Sequence, residues 1–291
     1  MPTNPDKIFW PKEGYTKSDV IAYYKRMASV ILPYLKDRPQ SLLRQPNGIK
    51  GRSFYQKNIN MKVPPFVETR AVQSESSDSI NYLLCQNKET LLYMANLGCI
   101  EINPWNSRIE SLDNPDFMII DLDPQGRSFE DLVTVALATR EVLEMACEWS
   151  FIKTSGKRGL HIEVPLGAQY TYDQIRIFCG LLVQLVHATV PDITSLERSP
   201  SKRTKLIYLD HLQNSRGQTL ACPYSLRPWA GATVSTPLEW KEIRKGFDPS
   251  KFNIKTIFKR LDQKGDLWKG RFKKSIDLEK SIQCLKDATE K

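Results

Sequence analysis

One heptapeptide constrains this chain more than any other stretch: Phe117-Met118-Ile119-Ile120-Asp121-Leu122-Asp123, an apolar run that ends on two acids. It is the clearest strand in the sequence. Residues two apart on a strand point to one face, so Asp121 and Asp123 share a face with Cα atoms ~6–7 Å apart. Carboxylates so spaced can converge on a pair of divalent cations, ~3.5–4 Å apart, of the kind that clamps phosphoryl transfer. Without cations the two charges repel each other. The alternative is a strand end with two solvated acids, and Asp-x-Asp alone does not choose between the two.

Around this strand the chain alternates helices with strands and shows no internal repeat. Thr16 and Asp19 form a capping box, and Val20, Tyr23, Tyr24, Met27, Val30 and Ile31 recur at helical spacing, which predicts a helix ending before Pro39. Residues 41–57 read as strand, Pro46-Asn47-Gly48 turn and strand. The stretch 74–79, four serines and two acids, predicts an exposed loop, followed by short strands at 91–95 and 99–103. Ser128 and Asp131 open a helix to about Glu148. Strands at 151–154 and 160–164 and a helix over 171–190 come next. Residues 206–210 and 219–226 read as paired strands joined by the polar turn 213–217. Thr236-Pro237-Leu238-Glu239 combines cap, first-turn proline and acid, which predicts a helix start, and the Lys-rich last 25 residues read as helical. The fold class expected is α+β with mixed or antiparallel sheets.

With 41% hydrophobic and 26% charged residues, the chain is not mostly disordered, and 291 residues suffice for one large or two modest domains. No apolar run approaches the ~20 residues that span a bilayer. The first residues lack the apolar core of a signal peptide, so the reading is cytoplasmic with no membrane partner. Six isolated cysteines without a C-x-x-C pair argue for buried thiols rather than zinc. The net charge of +9 favours polyanionic partners, nucleotides or nucleic acid.

Two further segments carry chemistry. Thr154-Ser155-Gly156-Lys157-Arg158-Gly159-Leu160-His161 offers two glycines for close backbone approach, with a hydroxyl, two cations and an imidazole as donors. That suits a triphosphate, and a tight hairpin turn with exposed basic residues explains it equally. No G-x-S-x-G elbow supports a Ser155/His161 hydrolase. Asp210 closes the apolar strand Leu206-Ile207-Tyr208-Leu209 and could complete a metal site; Arg203, Arg216 and Arg227 flank it, at least one of them as a solvated basic residue.

Asp-x-Asp closing a strand, then Ser-Gly-x-x-Gly-x-His, then an apolar strand ending in Asp is the motif order of archaeo-eukaryotic primase-type polymerases. More closely, the chain resembles the polymerase domain of bacterial ligase D, the non-homologous end-joining enzyme, over nearly its whole length. The likeness runs through Asp6-Lys7-Ile8-Phe9-Trp10-Pro11, Gly14-Tyr15-Thr16-Lys17, Arg38-Pro39, Arg44-x-Pro46-Asn47-Gly48, Phe54-Tyr55-Gln56-Lys57-Asn58, Pro115-Asp116, Asp121-Leu122-Asp123-Pro124 and Tyr224-Ser225-Leu226-Arg227.

The resemblance implies an archaeo-eukaryotic primase-like fold: an RRM-like antiparallel catalytic sheet in about 111–291, with C-terminal helices, packed against an N-terminal α/β portion of about 1–110 that binds DNA ends, with the active cleft between them. It implies a nucleotidyltransferase that extends DNA 3′ ends, filling gaps and lengthening ends in end joining with release of pyrophosphate. Asp121, Asp123 and Asp210 become the catalytic carboxylates holding two divalent ions, manganese preferred and magnesium as the substitute, with NTP or dNTP as substrate. Ser155, Arg158 (a lysine elsewhere in the family), His161, Asn103, Arg203, Gln213 and Arg227 become nucleotide contacts. Asn4, Lys7 and Lys17 match a surface for the downstream 5′-phosphate. Phe54, Tyr55 and Lys57 match template contacts, although one ring of such a pair is commonly core. Residues 74–79 fall where the family carries a loop that bridges ends. DNA gaps or double-strand ends, a ligase module and Ku are the implied partners.

Two departures qualify the resemblance. Glu101-Ile102-Asn103 stands where the family shows Glu-Leu-His, so a group able to become cationic is replaced by one that only hydrogen-bonds. No Lys-x-Asp-Gly nucleophile signature is present, so this chain is not expected to seal nicks. Two other readings remain at this point: a DNA-end-binding module with weakened catalysis, and a haloacid-dehalogenase-like phosphatase, against which Gln125 stands in place of that family's Thr or Val.

Overall fold

The computed structural model describes residues 2–73, 78–146, 149–202 and 205–290. The chain forms two units. The first holds residues 1–110, 219–236 and 250–265; the second holds 111–218, 237–249 and 266–291. The sequence reading divides the chain once, at about 110; the units change there too, and two later segments return to the first unit.

In the first unit, β1 (Ile8–Trp10) pairs with β2 (Tyr15–Thr16) and leads into α1 (Lys17–Leu35). The capping box forms as expected, with Thr16 and Asp19 satisfying each other's backbone N–H, and Val20, Tyr23, Tyr24, Met27 and Ile31 are buried along one face. β3 (Gln40–Arg44) and β4 (Phe54–Gln56) pair antiparallel, then β5 (Glu68–Val72) and β6 (Ile80–Leu84) make a separate ribbon. α2 (Lys88–Asn96) is followed by β7 (Cys99–Pro104), which joins a sheet ordered β4-β3-β7. The strand expected at 91–95 is therefore a helix. Asn87 caps it by accepting from Thr90 N at 2.8 Å, Leu91, Met94 and Ala95 bury at helical spacing, and Gly98 (φ +78°) turns the chain out of it. Five apolar residues cannot declare their period; the cap and the glycine do.

The second unit is built on β8 (Phe117–Asp123), α3 (Phe129–Ala146), β9 (Phe151–Thr154), β10 (Leu160–Pro165), α4 (Tyr172–Thr189), β11 (Thr194–Ser195), β12 (Ile207–Asp210) and β13 (Pro237–Leu238). Its sheet runs β11-β12-β8-β10-β9-β13, antiparallel apart from β11 with β12. Met118, Ile120, Leu122, Ile152, Leu160, Ile162, Val164 and Leu209 are buried on one face, and α4 packs against both β8 and α3. α5 (Ile257–Lys264) belongs to the first unit and α6 (Leu278–Thr289) closes the second, so only part of the Lys-rich tail is helical.

Two further expectations fail here. Residues 219–226 do not pair with β12: they lie in the first unit, where Cys222 N donates to Ile102 O (2.9 Å) and Tyr224 turns at φ +66°. Pro237 does not open a helix. It sits on the edge strand β13, where a residue without an N–H leaves no ladder bond unmade, and the Glu239–Glu242 cap serves a short 3₁₀ turn instead. The helix end expected near Glu148 and most of the serine-rich stretch, residues 74–77, fall outside the described residues. No described helix is long and apolar enough to cross a membrane.

Candidate active site

The polar face of the second unit's sheet carries a row of chemistry set by strand register. Asp210 on β12 stands directly opposite Asp121 on β8, Asp121 opposite His161 on β10, and His161 opposite Lys153 on β9. Directly opposed residues have Cβ atoms ~4.5–5.5 Å apart, and Asp123 shares the face two residues beyond Asp121. The three acids, far apart along the chain, thus meet on adjacent strands.

Each acid has a defined partner. Asp121 Oδ1 lies 3.6 Å from His161 Nε2. Asp123 Oδ2 accepts from Gln125 Nε2 at 2.6 Å, and Gln125 takes a left-handed φ of +43° to reach it. Asp210 Oδ1 accepts the backbone N–H groups of Leu212 (2.9 Å) and Gln213 (3.2 Å), which brings Gln213 beside it. Asn214 then holds this turn to β8, accepting from Ile119 N at 2.8 Å and donating to Ile119 O at 2.6 Å. Beneath, the Cys179 thiol has its pKa pushed up, first by burial and then by the charge of Asp210.

Among the described residues, no group of three or more His, Cys, Asp or Glu side chains is gathered around one ion position. The donor set nonetheless fits a hard divalent cation: three carboxylates on one sheet face, the oxygen chemistry that manganese and magnesium take.

The glycine turn abuts the acid strand. Ser155 Oγ accepts from Lys157 N (3.1 Å) and Gly159 N (3.0 Å), while Ser155 N donates to Gly159 O (2.9 Å), so the buried serine braces the loop. Arg158 projects to solvent at its tip. A Cβ on Gly159 would lie 2.6 Å from the carbonyl oxygen of Leu122, so only glycine lets the turn come this close to the strand between Asp121 and Asp123.

In the first unit, Asn103 is buried and donates to Ser41 O at 3.3 Å. Arg227 is buried too, with Nε 2.8 Å from Glu101 Oε2. Phe54 and Tyr55 are both exposed, so neither ring is core; as strand neighbours they face opposite sides, with Arg44 stacking on Phe54. Lys57 is exposed. Asn4, Lys7 and Lys17 do come together: Lys7 N donates to Asn4 O (3.2 Å), Lys17 N to Lys7 O (2.8 Å), and Lys17 Nζ to Thr3 Oγ1 (2.9 Å). The Lys17 pKa is lowered, first by burial and then by the neighbouring charges of Lys7 and Arg44. Arg203 lies outside the described residues, and Arg216 pairs with Asp113 at 2.7 Å rather than facing solvent alone.

Lys153, Gln125 and Asn214 were missed in the sequence. Lys153 left one signal, a single charge inside a short strand otherwise made of Phe151, Ile152 and Thr154; the other two left none.

A largely antiparallel sheet with three acids on one face, beside a glycine-braced turn, fits a primase-like fold. A family model described as LigD, primase-polymerase domain, matches residues 16–268. The chain belongs to the LigD primase-polymerase domain family. It is 33% identical to the bifunctional non-homologous end joining protein LigD of Bacillus subtilis over 265 residues, 90% of this chain and 42% of that protein. The multifunctional LigD of Pseudomonas aeruginosa is 28% identical over 263 residues, covering 90% and 31%. Among solved structures, the polymerase domain of Mycobacterium tuberculosis ligase D in complex with DNA superposes with a TM-score of 0.86 at 26% identity, covering 94% of this chain and 98% of that one. The chain spans less than half the length of these full-length relatives. The family is of nucleotidyltransferase type, and the phosphatase alternative falls with this assignment.

Proposed function

We propose that this chain is a metal-dependent nucleotidyltransferase that adds NTP or dNTP units to the 3′ end of DNA at gaps and double-strand ends, releasing pyrophosphate, as the polymerase component of non-homologous end joining. The observation that carries the reading is Asp210 standing opposite Asp121, on the face that Asp123 shares. Asp121, Asp123 and Asp210 would hold two divalent ions, manganese by preference and magnesium as the substitute. When bound, these supply Lewis-acid stabilisation of the attacking hydroxyl and the leaving pyrophosphate. Ser155 keeps the turn's N–H groups in place, Arg158 and His161 donate to the triphosphate, and Gln213, held beside Asp210, is a further nucleotide contact. A ligase module and Ku are the proposed protein partners.

For DNA, the Asn4–Lys7–Lys17 cluster is proposed as the seat of the downstream 5′-phosphate. Its support is the juxtaposition of three residues able to donate to one anion, Lys17 N bonding Lys7 O and Lys7 N bonding Asn4 O. Phe54, Tyr55 and Lys57 are proposed to meet the template, stacking without regard to sequence because every base has a π-face. Tyr55→Ala should weaken binding to gapped DNA by about 1–3 kcal/mol, read by fluorescence anisotropy; an unchanged Kd removes Tyr55 from the DNA surface.

The test of the whole reading is a labelled primer on gapped DNA with a downstream 5′-phosphate, manganese and each nucleotide in turn. Extension is expected. DNA binding without extension would leave only an end-binding module. Gly159→Ala should slow extension about a hundredfold by forcing the turn off β8, since a misplacement near 1 Å costs that much. A turnover within threefold of the parent would show that the close approach is not needed.

A further inference from the structure

The ammonium groups of Lys7 and Lys17 are each held in place, and neither is neutralised. Lys7 Nζ donates to Asn47 Oδ1 at 2.6 Å, and Lys17 Nζ donates to Thr3 O (2.5 Å) and Thr3 Oγ1 (2.9 Å). Behind Thr3, its backbone N–H (2.9 Å) and its hydroxyl (3.3 Å) both donate to Oδ1 of Asn96, the last residue of α2. Every acceptor in this set is an amide or hydroxyl oxygen. Among the described residues no carboxylate pairs with either lysine, although Asp6 and Asp19 are close in sequence. Nor can the start of α1 meet an anion by itself. Its first N–H groups already go to Lys7 O, Pro5 O and Thr16 Oγ1, so a phosphate here has to be met by side chains.

The turn that carries Asn47 is fixed against the strand that follows Lys7. Ile49 N donates to Phe9 O at 2.9 Å, and a Cβ on Gly48 (φ +76°) would lie 2.7 Å from the Phe9 backbone. We propose that Asn47, and Thr3 backed by Asn96, are positioning residues for the downstream 5′-phosphate: neutral oxygens aim the two ammonium groups and leave both charges to the anion. An ammonium has three donors and no acceptor, so each lysine retains at least one N–H for a phosphate oxygen. A carboxylate in place of Asn47 would hold Lys7 equally well, but it would cancel the charge that the phosphate needs. The inference rests on the 5′-phosphate seat proposed above and adds the groups that set its selectivity for a phosphorylated over a hydroxyl end.

The full chain, free of metal and nucleotide, is titrated into gapped DNA carrying either a phosphate or a hydroxyl at the downstream 5′ end. Fluorescence anisotropy gives the two Kd values, and their ratio is the readout. The parent is expected to bind the phosphorylated end more tightly. Asn47 is exposed, so its replacement leaves the core untouched. Asn47→Ala should cut the preference about three- to tenfold while Kd for the hydroxyl end is unchanged. Asn47→Asp should cut it at least as far, and Asn96→Ala, which touches neither lysine, should lower it through Thr3. An Asn47→Asp protein that keeps the parent's ratio overturns the proposal. So does an Asn47→Ala protein that binds both ends more weakly by the same factor, and an unchanged ratio in Asn96→Ala overturns the Thr3 half. A parent that does not distinguish the two ends overturns the seat itself; a parent that does, with variants that still do, leaves the seat standing and removes these residues from it.

Discussion

Asp210→Asn is expected to give a folded protein that extends primers at least about a thousandfold more slowly than the parent, the equivalent of roughly 4 kcal/mol of lost transition-state stabilisation. The fold should survive because asparagine keeps an oxygen able to accept from Leu212 N and Gln213 N, the bonds that shape the turn after β12. What goes is the negative charge opposite Asp121, and with it a carboxylate donor for the proposed ions. Circular dichroism and thermal melting would establish the fold, calorimetry with manganese the loss of ion binding, and single-turnover extension the rate. An Asp210→Asn protein within tenfold of the parent would remove Asp210 from the catalytic set.

The largest expected effect on stability belongs to Arg271 and Glu163. Each is about 4% exposed, and they form an ion pair inside the second unit, with the guanidinium packed against the rings of Phe117 (4.5 Å), Trp268 (4.8 Å) and Phe272 (4.7 Å). Arg271→Met should lower the unfolding free energy by about 3–5 kcal/mol, because it strands a buried carboxylate. The double variant Glu163→Met/Arg271→Met should recover much of that loss, since removing both charges also removes the need to desolvate them. Urea unfolding followed by tryptophan fluorescence measures both. A single variant costing under 1 kcal/mol, or a double variant as damaging as the two single losses added, would show that the pair does not behave as a buried charge couple. Glu163 follows His161 by two residues on the same face of β10, so the pair also anchors the strand that carries the imidazole.

Much of the second unit's sheet was legible because its signals are local and redundant. The run 117–123 declares a strand by composition, the Thr16–Asp19 and Ser128–Asp131 pairs declare helix starts, and alternation puts Asp121 and Asp123 on one face. Bringing Asp210 to Asp121 needed the family resemblance, since nothing local relates residues 89 positions apart. What misled was also local. Residues 91–95 are too few to separate a strand from a helix face, Pro237 suits a first helical turn and an edge strand equally, and the strand-like 219–226 is shaped by contacts with β7, not by its own pattern. Lys153 escaped notice because its partner is chosen by strand register, which no stretch of sequence states by itself.

The chain passes between its two units at 110/111, 218/219, 236/237, 249/250 and 265/266. No single scission therefore releases either unit intact. A fragment ending at 218 would take away Ser225, whose hydroxyl accepts from Ile102 N at 2.9 Å, and Tyr224, whose carbonyl receives the Tyr23 hydroxyl at 2.7 Å, stripping α1 and β7 of buried partners. The two units are thus bound to one another's inheritance: neither can be lost, duplicated or transplanted by a simple gene truncation, and any fusion to other modules has to be made outside this braid.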